Sequence, residues 1–472
     1  MQDYTLEGGL NTAQLDILHD RALELCETEG IRIDHDGILE ILAQYNGVKI
    51  EDHYVKFRRD LVLEALKAAV YDEPERAKNN WIISAGAAQL MYYDPGTGVL
   101  RKPLSQDLVD LIKLGDALDT SGSAPVVPSD IPNHLQHIFM YKISYEYSRY
   151  RGNDIYEHMD KPTVECAEYV YEMALAAGKR YAYALWFISP RSIDPKGLDI
   201  AYRLIDKKIP MNISTMPIAG VTAPITMIGC ALQSMFEVFS GLTMLHLINP
   251  DANNYIAVND AFEAGAFDMK DSTFVYGSPE YVRHTMFQLS LCKYYGIPAN
   301  AKSFLTSSKE PDAQMAAEIS AHTLIAAMGG ARVFRCAGLL STSEIYCAEQ
   351  LVLCHEILEH IKHILKHEEF SEDRLLMDEI REVKAGMSFL DRDSTAQMFR
   401  SEYWYPDLFT HTNINQWRLK GSRNIRDIAG EKAKKLIAQH IYTADADVRK
   451  ELNKIYKTAE NDIQLKDSFS CI

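Results

Sequence analysis

The chain has 472 residues, 47 % hydrophobic and 24 % charged. This is a globular composition and excludes wholesale disorder or a low-complexity polymer. The 49 basic and 66 acidic residues leave a net charge of −17, which repels phosphate backbones and excludes nucleic acid as the main partner.

The first residues, Met1 to Gly9, carry no basic cluster and no apolar core, so no signal peptide is expected. No run nears the roughly 18 consecutive apolar residues of a membrane span, and no membrane partner is expected. The eight Cys are scattered with no C-x-x-C pair. In a chain this long that pattern predicts reduced thiols and a cytoplasmic location.

Residues 10–80 read as helices. Leu15, Leu18, Ala22, Leu25 and Cys26 recur at helical spacing after an Asn11-Thr12 cap. A second helix follows His35-Asp36-Gly37, and a third runs from Arg59 to Val70. The stretch from Met91 to Gly98 reads as a hairpin with Pro95-Gly96 at its turn. Short β-prone runs then alternate with helices. The runs are Ala124–Val127, Tyr181–Ile188, Met211–Thr215, Tyr255–Val258, Thr273–Tyr276, Ala299–Leu305 and Arg332–Cys336, with a weaker one near Asp154–His158. The helices include Lys161–Gly178, Ile225–Ile248, Pro279–Tyr295, Pro311–Met328 and Ser343–Lys366. About eight such units over ~250 residues predict an α/β fold. A closed (β/α)8 TIM barrel fits better than an open doubly wound sheet, which stays as the alternative. The expected organisation is an N-terminal helical segment (1–85), a barrel (86–370) and a C-terminal helical extension (371–472).

Walker, Rossmann, G-x-S-x-G and H-E-x-x-H patterns are absent. His355, His360, His363 and His367 come nearest to a metal motif, but a solvated helix face explains them as well, and no metal is expected. His134 and His137 follow the first run, where a barrel places its catalytic rim. Aromatic side chains gather at strand ends and nearby turns: Tyr92, Trp186, Phe187, Phe334 and Tyr346. Such rings can wall a pocket for a cation, and packed structural layers are the competing use.

The segment Gly220-Val221-Thr222-Ala223-Pro224-Ile225-Thr226 through Gly229 resembles the G-x-T-A-P-x-T-x-x-G stretch of the trimethylamine methyltransferase family. Asp130-Ile131-Pro132, Phe267-Asp268-Met269, Tyr276-Gly277-Ser278-Pro279-Glu280, Lys309 to Gln314, Phe399-Arg400 and Trp404 to Phe409 agree in order and spacing. The resemblance runs from about residue 10 to residue 440. It implies a (β/α)8 barrel that moves a methyl group from an N-methyl amine to cob(I)alamin. The cobalamin is carried on a separate corrinoid protein, so no cofactor is bound in this chain itself. The founding trimethylamine enzymes carry pyrrolysine, and this sequence has none. Pyrrolysine-free members look like demethylases of glycine betaine, proline betaine, carnitine or related quaternary amines. Asp393-Ser394-Thr395 departs from the family's usual His-Thr pair.

With such a donor, Co(I) displaces a neutral tertiary amine from a methyl carbon. Neither a general acid nor a base is needed, so no catalytic side chain is expected. The pocket must position and desolvate the donor. The expected substrate-binding residues are Tyr92, Trp186, Phe187, Phe334 and Tyr346 as an aromatic cage, with Arg335 on a carboxylate. His355 ranks second for the carboxylate, and Lys309 or Lys302 third. Thr222 and Pro224 are expected to shape the mouth, and Asp312 to cap a helix. Two other readings stay open. One is a tertiary or secondary amine demethylase using a buried acid, Asp260 or Glu318. The other is a non-catalytic betaine-binding barrel. Self-association into a homo-oligomer is also expected.

Overall fold

The structure is a computed structural model that describes residues 9–71, 75–94, 97–122, 124–151, 163–252, 254–256 and 262–469. The expected strand near Asp154–His158 lies outside these residues, as do Asp260 and the Pro95-Gly96 turn.

Seven short strands run parallel in two arcs. In the first, Tyr183–Ile188, Met211–Ser214 and Tyr255–Ile256 lie side by side. In the second, the order is Asn300–Ala301, Val333–Ala337, Ile82–Ala85 and Ser121–Gly122. The last of these seven strands therefore pairs in parallel with the first. At least one helix separates each of these strands from the next, as parallel pairing demands, with extra short strands intervening after Ile82–Ala85, Tyr183–Ile188, Tyr255–Ile256 and Val333–Ala337. Helix Met227–Ile248 is long and apolar enough to cross a membrane by length and composition. However, 78 % of that apolar window is buried inside the protein. It packs against helix Thr12–Thr28 and strand Met211–Ser214.

Local signals account for most helix ends. Asn11 caps Thr12–Thr28 through a reciprocal bond with Gln14. His35, Thr226 and Ser278 each accept from an N-terminal backbone amide of their helix. Asp312 accepts from the Met315 amide, as expected. The helix Pro279–Tyr295 has the bounds the sequence pattern predicts.

Three expectations need correction. Ala124–Val127 forms no strand and makes only an isolated bridge, from Val126 to Gln89. The place in the sheet is taken by Ile82–Ala85 and the two-residue Ser121–Gly122, which are too short or too evenly buried to alternate. Thr273–Val275 pairs antiparallel with Ala266–Asp268 as a separate hairpin and joins neither arc. The N-terminal segment is not purely helical, because Val48–Glu51 and Tyr54–Phe57 form a hairpin on strand Ile31–Arg32. Through Ser192–Ile193 that hairpin extends the first arc.

Candidate active site

Strand alternation decides which side chains leave the helix layer. In Tyr183–Ile188, Phe187 points at helix Met227–Ile248: a Cβ on Gly241 of that helix would lie 2.9 Å from the Phe187 ring and 2.6 Å from Ile213. Leu185 and Ile213 share that face by register. Ala184, Trp186, Ile188, Asn212 and Ser214 therefore face the other way. Trp186 is 36 % exposed and Ile188 58 % exposed, which is possible on an inner strand only where that face opens to solvent. In the second arc, Ile82 and Val333 pack with Ala77 in a small cluster separate from the main core. Ile83, Ala301 and Phe334 belong to the main core with the helices. Alternation does not carry past Phe334, because the strand shifts register between Phe334 and Ala337: Arg335 sits half-buried in that bulge, and Lys302 follows the end of strand Asn300–Ala301.

At the strand ends these faces become polar. Lys302 forms a buried ion pair with Glu263. Glu263 follows the last strand of the first arc, so the pair ties one arc to the edge of the other. The Tyr281 hydroxyl donates to Glu263 at 3.2 Å. Burial, reinforced by the Glu263 charge, raises the Tyr281 hydroxyl well above its ordinary value, so it stays protonated. Its ring meets His322 edge-on at 5.5 Å. Glu237, fully buried on helix Met227–Ile248, accepts from Ser189 Oγ at 2.7 Å and the Arg191 amide at 2.9 Å. It also accepts from Gln233 at 2.8 Å and from Thr215. Three of these donors, Ser189, Arg191 and Thr215, fix the loops after Tyr183–Ile188 and Met211–Ser214. Glu318 accepts at both oxygens, from Thr306 Oγ1 at 2.6 Å, the Ser307 amide at 2.9 Å and Gln314 at 2.8 Å.

The remaining expected residues go elsewhere. Phe187 is in the helix layer. Phe334 is fully buried against Trp81 and Phe304. Tyr346 is fully buried, with its ring under Gly338. The Tyr92 ring already carries the Arg101 guanidinium at 5.3 Å. His355 shares a 2.9 Å hydrogen bond with Thr120 between helix and strand. Lys309 is an exposed turn residue bonded to the Ser307 carbonyl. His360 and His363 stack on Trp404 at 5.1 and 5.6 Å. Among the described residues no three His, Cys, Asp or Glu converge as a metal-sized group. His134 lies in the turn before helix Gln136–Tyr147, and His137 lies in its first turn. Of the expected residues, Trp186 is partly exposed on its strand, Arg335 is half-buried in the bulge of strand Val333–Ala337, and Lys302 is held by Glu263.

Sequence reasoning missed Glu237 and Glu263. A usable signal was there: each is a lone carboxylate inside an apolar run, where an unpaired charge is too costly to keep.

The 215–226 loop forms an apolar rim at the end of the first arc. Thr222 Oγ1 accepts from the Ile218 amide at 2.8 Å and closes the turn. Gly220 has φ +79°, and a Cβ there would lie 2.4 Å from Met269 and 2.6 Å from Ile225. Only glycine fits that turn without strain. Val221, Ile225 and Met269 remain more than half exposed.

Buried histidines set the response to acid. Burial lowers His284 to about 4 and His322 and His355 to about 3. In the unfolded chain each binds a proton near pH 6.5. The unfolded state therefore binds more protons below that pH. Stability is full above pH 6.5 and is lost towards pH 4, by up to about 1.4 kcal/mol per pH unit for each histidine. The thermal midpoint is expected to fall steadily from pH 7 to pH 5. A midpoint constant over that range would contradict it.

Comparison with known proteins gives a consistent answer. The sequence profile "Trimethylamine methyltransferase (MTTB)" matches residues 7–463. A trimethylamine methyltransferase of Methanosarcina barkeri is 24 % identical, covering 96 % of this chain and 93 % of the relative. A glycine betaine methyltransferase of Desulfitobacterium hafniense is 25 % identical, covering 86 % and 88 %. The crystal structure of the Methanosarcina barkeri monomethylamine methyltransferase aligns with a TM-score of 0.48 at 12 % identity, covering 93 % of this chain and 90 % of that one. The profile and the two named relatives give the class as a methyltransferase, here on an α/β fold. Within that class, the chain belongs to the trimethylamine methyltransferase (MTTB) family.

Proposed function

We propose that the protein moves a methyl group from a betaine-type quaternary amine to the Co(I) of a corrinoid on a separate carrier protein. The observation that carries this reading is Trp186, an indole more than a third exposed on the face of a parallel strand turned away from the helices. An indole attracts a cation by about 0.5–2 kcal/mol without giving or taking a proton. Arg335, in the bulge of strand Val333–Ala337, has the fork that a substrate carboxylate needs. The two arcs, with the Lys302–Glu263 tie, support a closed (β/α)8 barrel around this site.

The step is an in-line displacement. The Co(I) electron pair forms the Co–C bond, the C–N bond breaks, and its pair stays on nitrogen. The nitrogen leaves as a neutral tertiary amine while cobalt becomes methyl-Co(III). No proton moves, so the side chains position and desolvate. Charge spreads in the transition state, so a carboxylate beside the nitrogen would favour the ground state instead. Of the carboxylates described near the strand ends, Glu263 is engaged by Lys302 and Glu237 by four donors. The carrier would meet the apolar rim of Val221, Ile225 and Met269. A cytoplasmic enzyme that self-associates is the setting this reading implies.

A demethylase of tertiary or secondary amines needs a buried acid. The donors on both oxygens of Glu318 make it a tether of the 306–308 turn, which disfavours that route. With purified protein and cob(I)alamin, methylcobalamin should form from a betaine and not from trimethylamine. The opposite preference would overturn the proposal.

A further inference from the structure

The segment from Phe370 to Leu419 has an unusual distribution of apolar side chains. It contains helices Met377–Glu382, Asp393–Glu402 and Ile414–Leu419, and none of the three has a buried residue. Its shape is held by polar contacts within itself: Arg374 with Glu402 at 2.8 Å, Arg392 with Glu382 at 3.0 Å, and Ser394 with Glu379 at 2.6 Å. Its root on the body is equally defined. Trp404 stacks on His360 and His363, and Glu356 accepts the Leu408 and Phe409 amides at 2.9 and 3.0 Å. The large apolar side chains face outward instead. Phe370 is 82 % exposed, Leu390 84 % and Leu419 88 %, with Ile380, Met387 and Tyr403 all above half.

Helices of six to ten residues are not stable in water without a packed face. The cover over this arm must therefore be present whenever the protein is folded. A carrier that arrives, takes a methyl group and leaves cannot supply it. A second copy of the same chain is always present at matching concentration. The size fits too. About ten outward side chains of very roughly 100 Å² exposed area each approach the ~800 Å² that one partner contributes to a stable interface.

We infer that the 370–419 arm is the self-association surface of this protein, its apolar face covered by a second copy of the chain. The inference rests on the homo-oligomer reading above and is independent of the substrate.

Sedimentation of the full-length protein from about 50 nM to 50 μM tests it. A dimer or larger closed assembly is expected, with Leu390→Asp and Phe370→Asp each raising the dissociation constant at least 100-fold. Leu390→Met should leave it within a few-fold, and circular dichroism checks that each variant is folded. A monomer at every concentration would refute both the oligomer reading and the arm. An oligomer indifferent to the Asp variants would refute the arm alone. So would Asp variants that stay assembled but lose binding to the corrinoid carrier.

Discussion

Arg335→Ala is expected to raise KM for glycine betaine about 10–100-fold, while KM for tetramethylammonium changes by less than about 3-fold. A charge-assisted hydrogen bond lost from a desolvated site costs about 1.5–3 kcal/mol, which sets that range. Tetramethylammonium carries the same cationic head and no carboxylate, so it reports on the cage alone. Trp186→Ala should lower kcat/KM for both substrates by similar factors, because the indole meets the part they share. Equal losses for both substrates in Arg335→Ala would remove this arginine from carboxylate recognition.

The second large effect is structural. Lys302→Met should lower stability by about 3–5 kcal/mol, the usual cost of leaving one half of a buried ion pair uncompensated. Here the stranded charge is the Glu263 carboxylate, with the Tyr281 hydroxyl still donating to it. Adding Glu263→Gln removes that charge and keeps an acceptor for Tyr281. The double variant should therefore be more stable than Lys302→Met alone. Thermal midpoints of the wild type, both single variants and the double variant give the coupling. A double variant as weak as the sum of the two singles would show that Lys302 and Glu263 do not act together.

Parallel strand–helix alternation was legible in the sequence because Tyr183–Ile188 and Met211–Ser214 are β-rich runs that lead to capped helices, and Val333–Ala337 is a β-rich run ahead of helix Ala348–Ile364. Ile82–Ala85 and Ser121–Gly122 escaped because four and two residues carry no readable period. Thr273–Val275 escaped because propensity identifies a strand without its partner, and the partner, Ala266–Asp268, lies next to it in sequence. The site followed the same physics. Trp186 and Phe187 look identical as neighbouring rings in one run. Only the packing of Gly241 against Phe187 reveals which of the two enters the helix layer. Aromatic type at a strand end therefore marks a candidate, and the parity of the strand decides its use. Tyr92, Phe334 and Tyr346 illustrate the other outcome, being spent on a guanidinium or on packed layers. Arg335 was in view as the arginine of the Arg332–Cys336 run, whereas the bulge that holds it gave no periodic signal. The Glu263–Lys302 tie was only half legible, since Lys302 was in view and its partner 39 residues away was not.

The central claim is that the methyl group leaves a permanent cation with no proton in transit. The most direct test is the pH dependence of single-turnover Co(I) methylation from glycine betaine, with cobalt held reduced, over about pH 6.5–9, where the buried histidines stay neutral and the fold is at full stability. A rate constant that is flat across this range is the predicted result. A rate that rises or falls tenfold per pH unit, and loses that slope when one ionisable side chain is replaced, would contradict it.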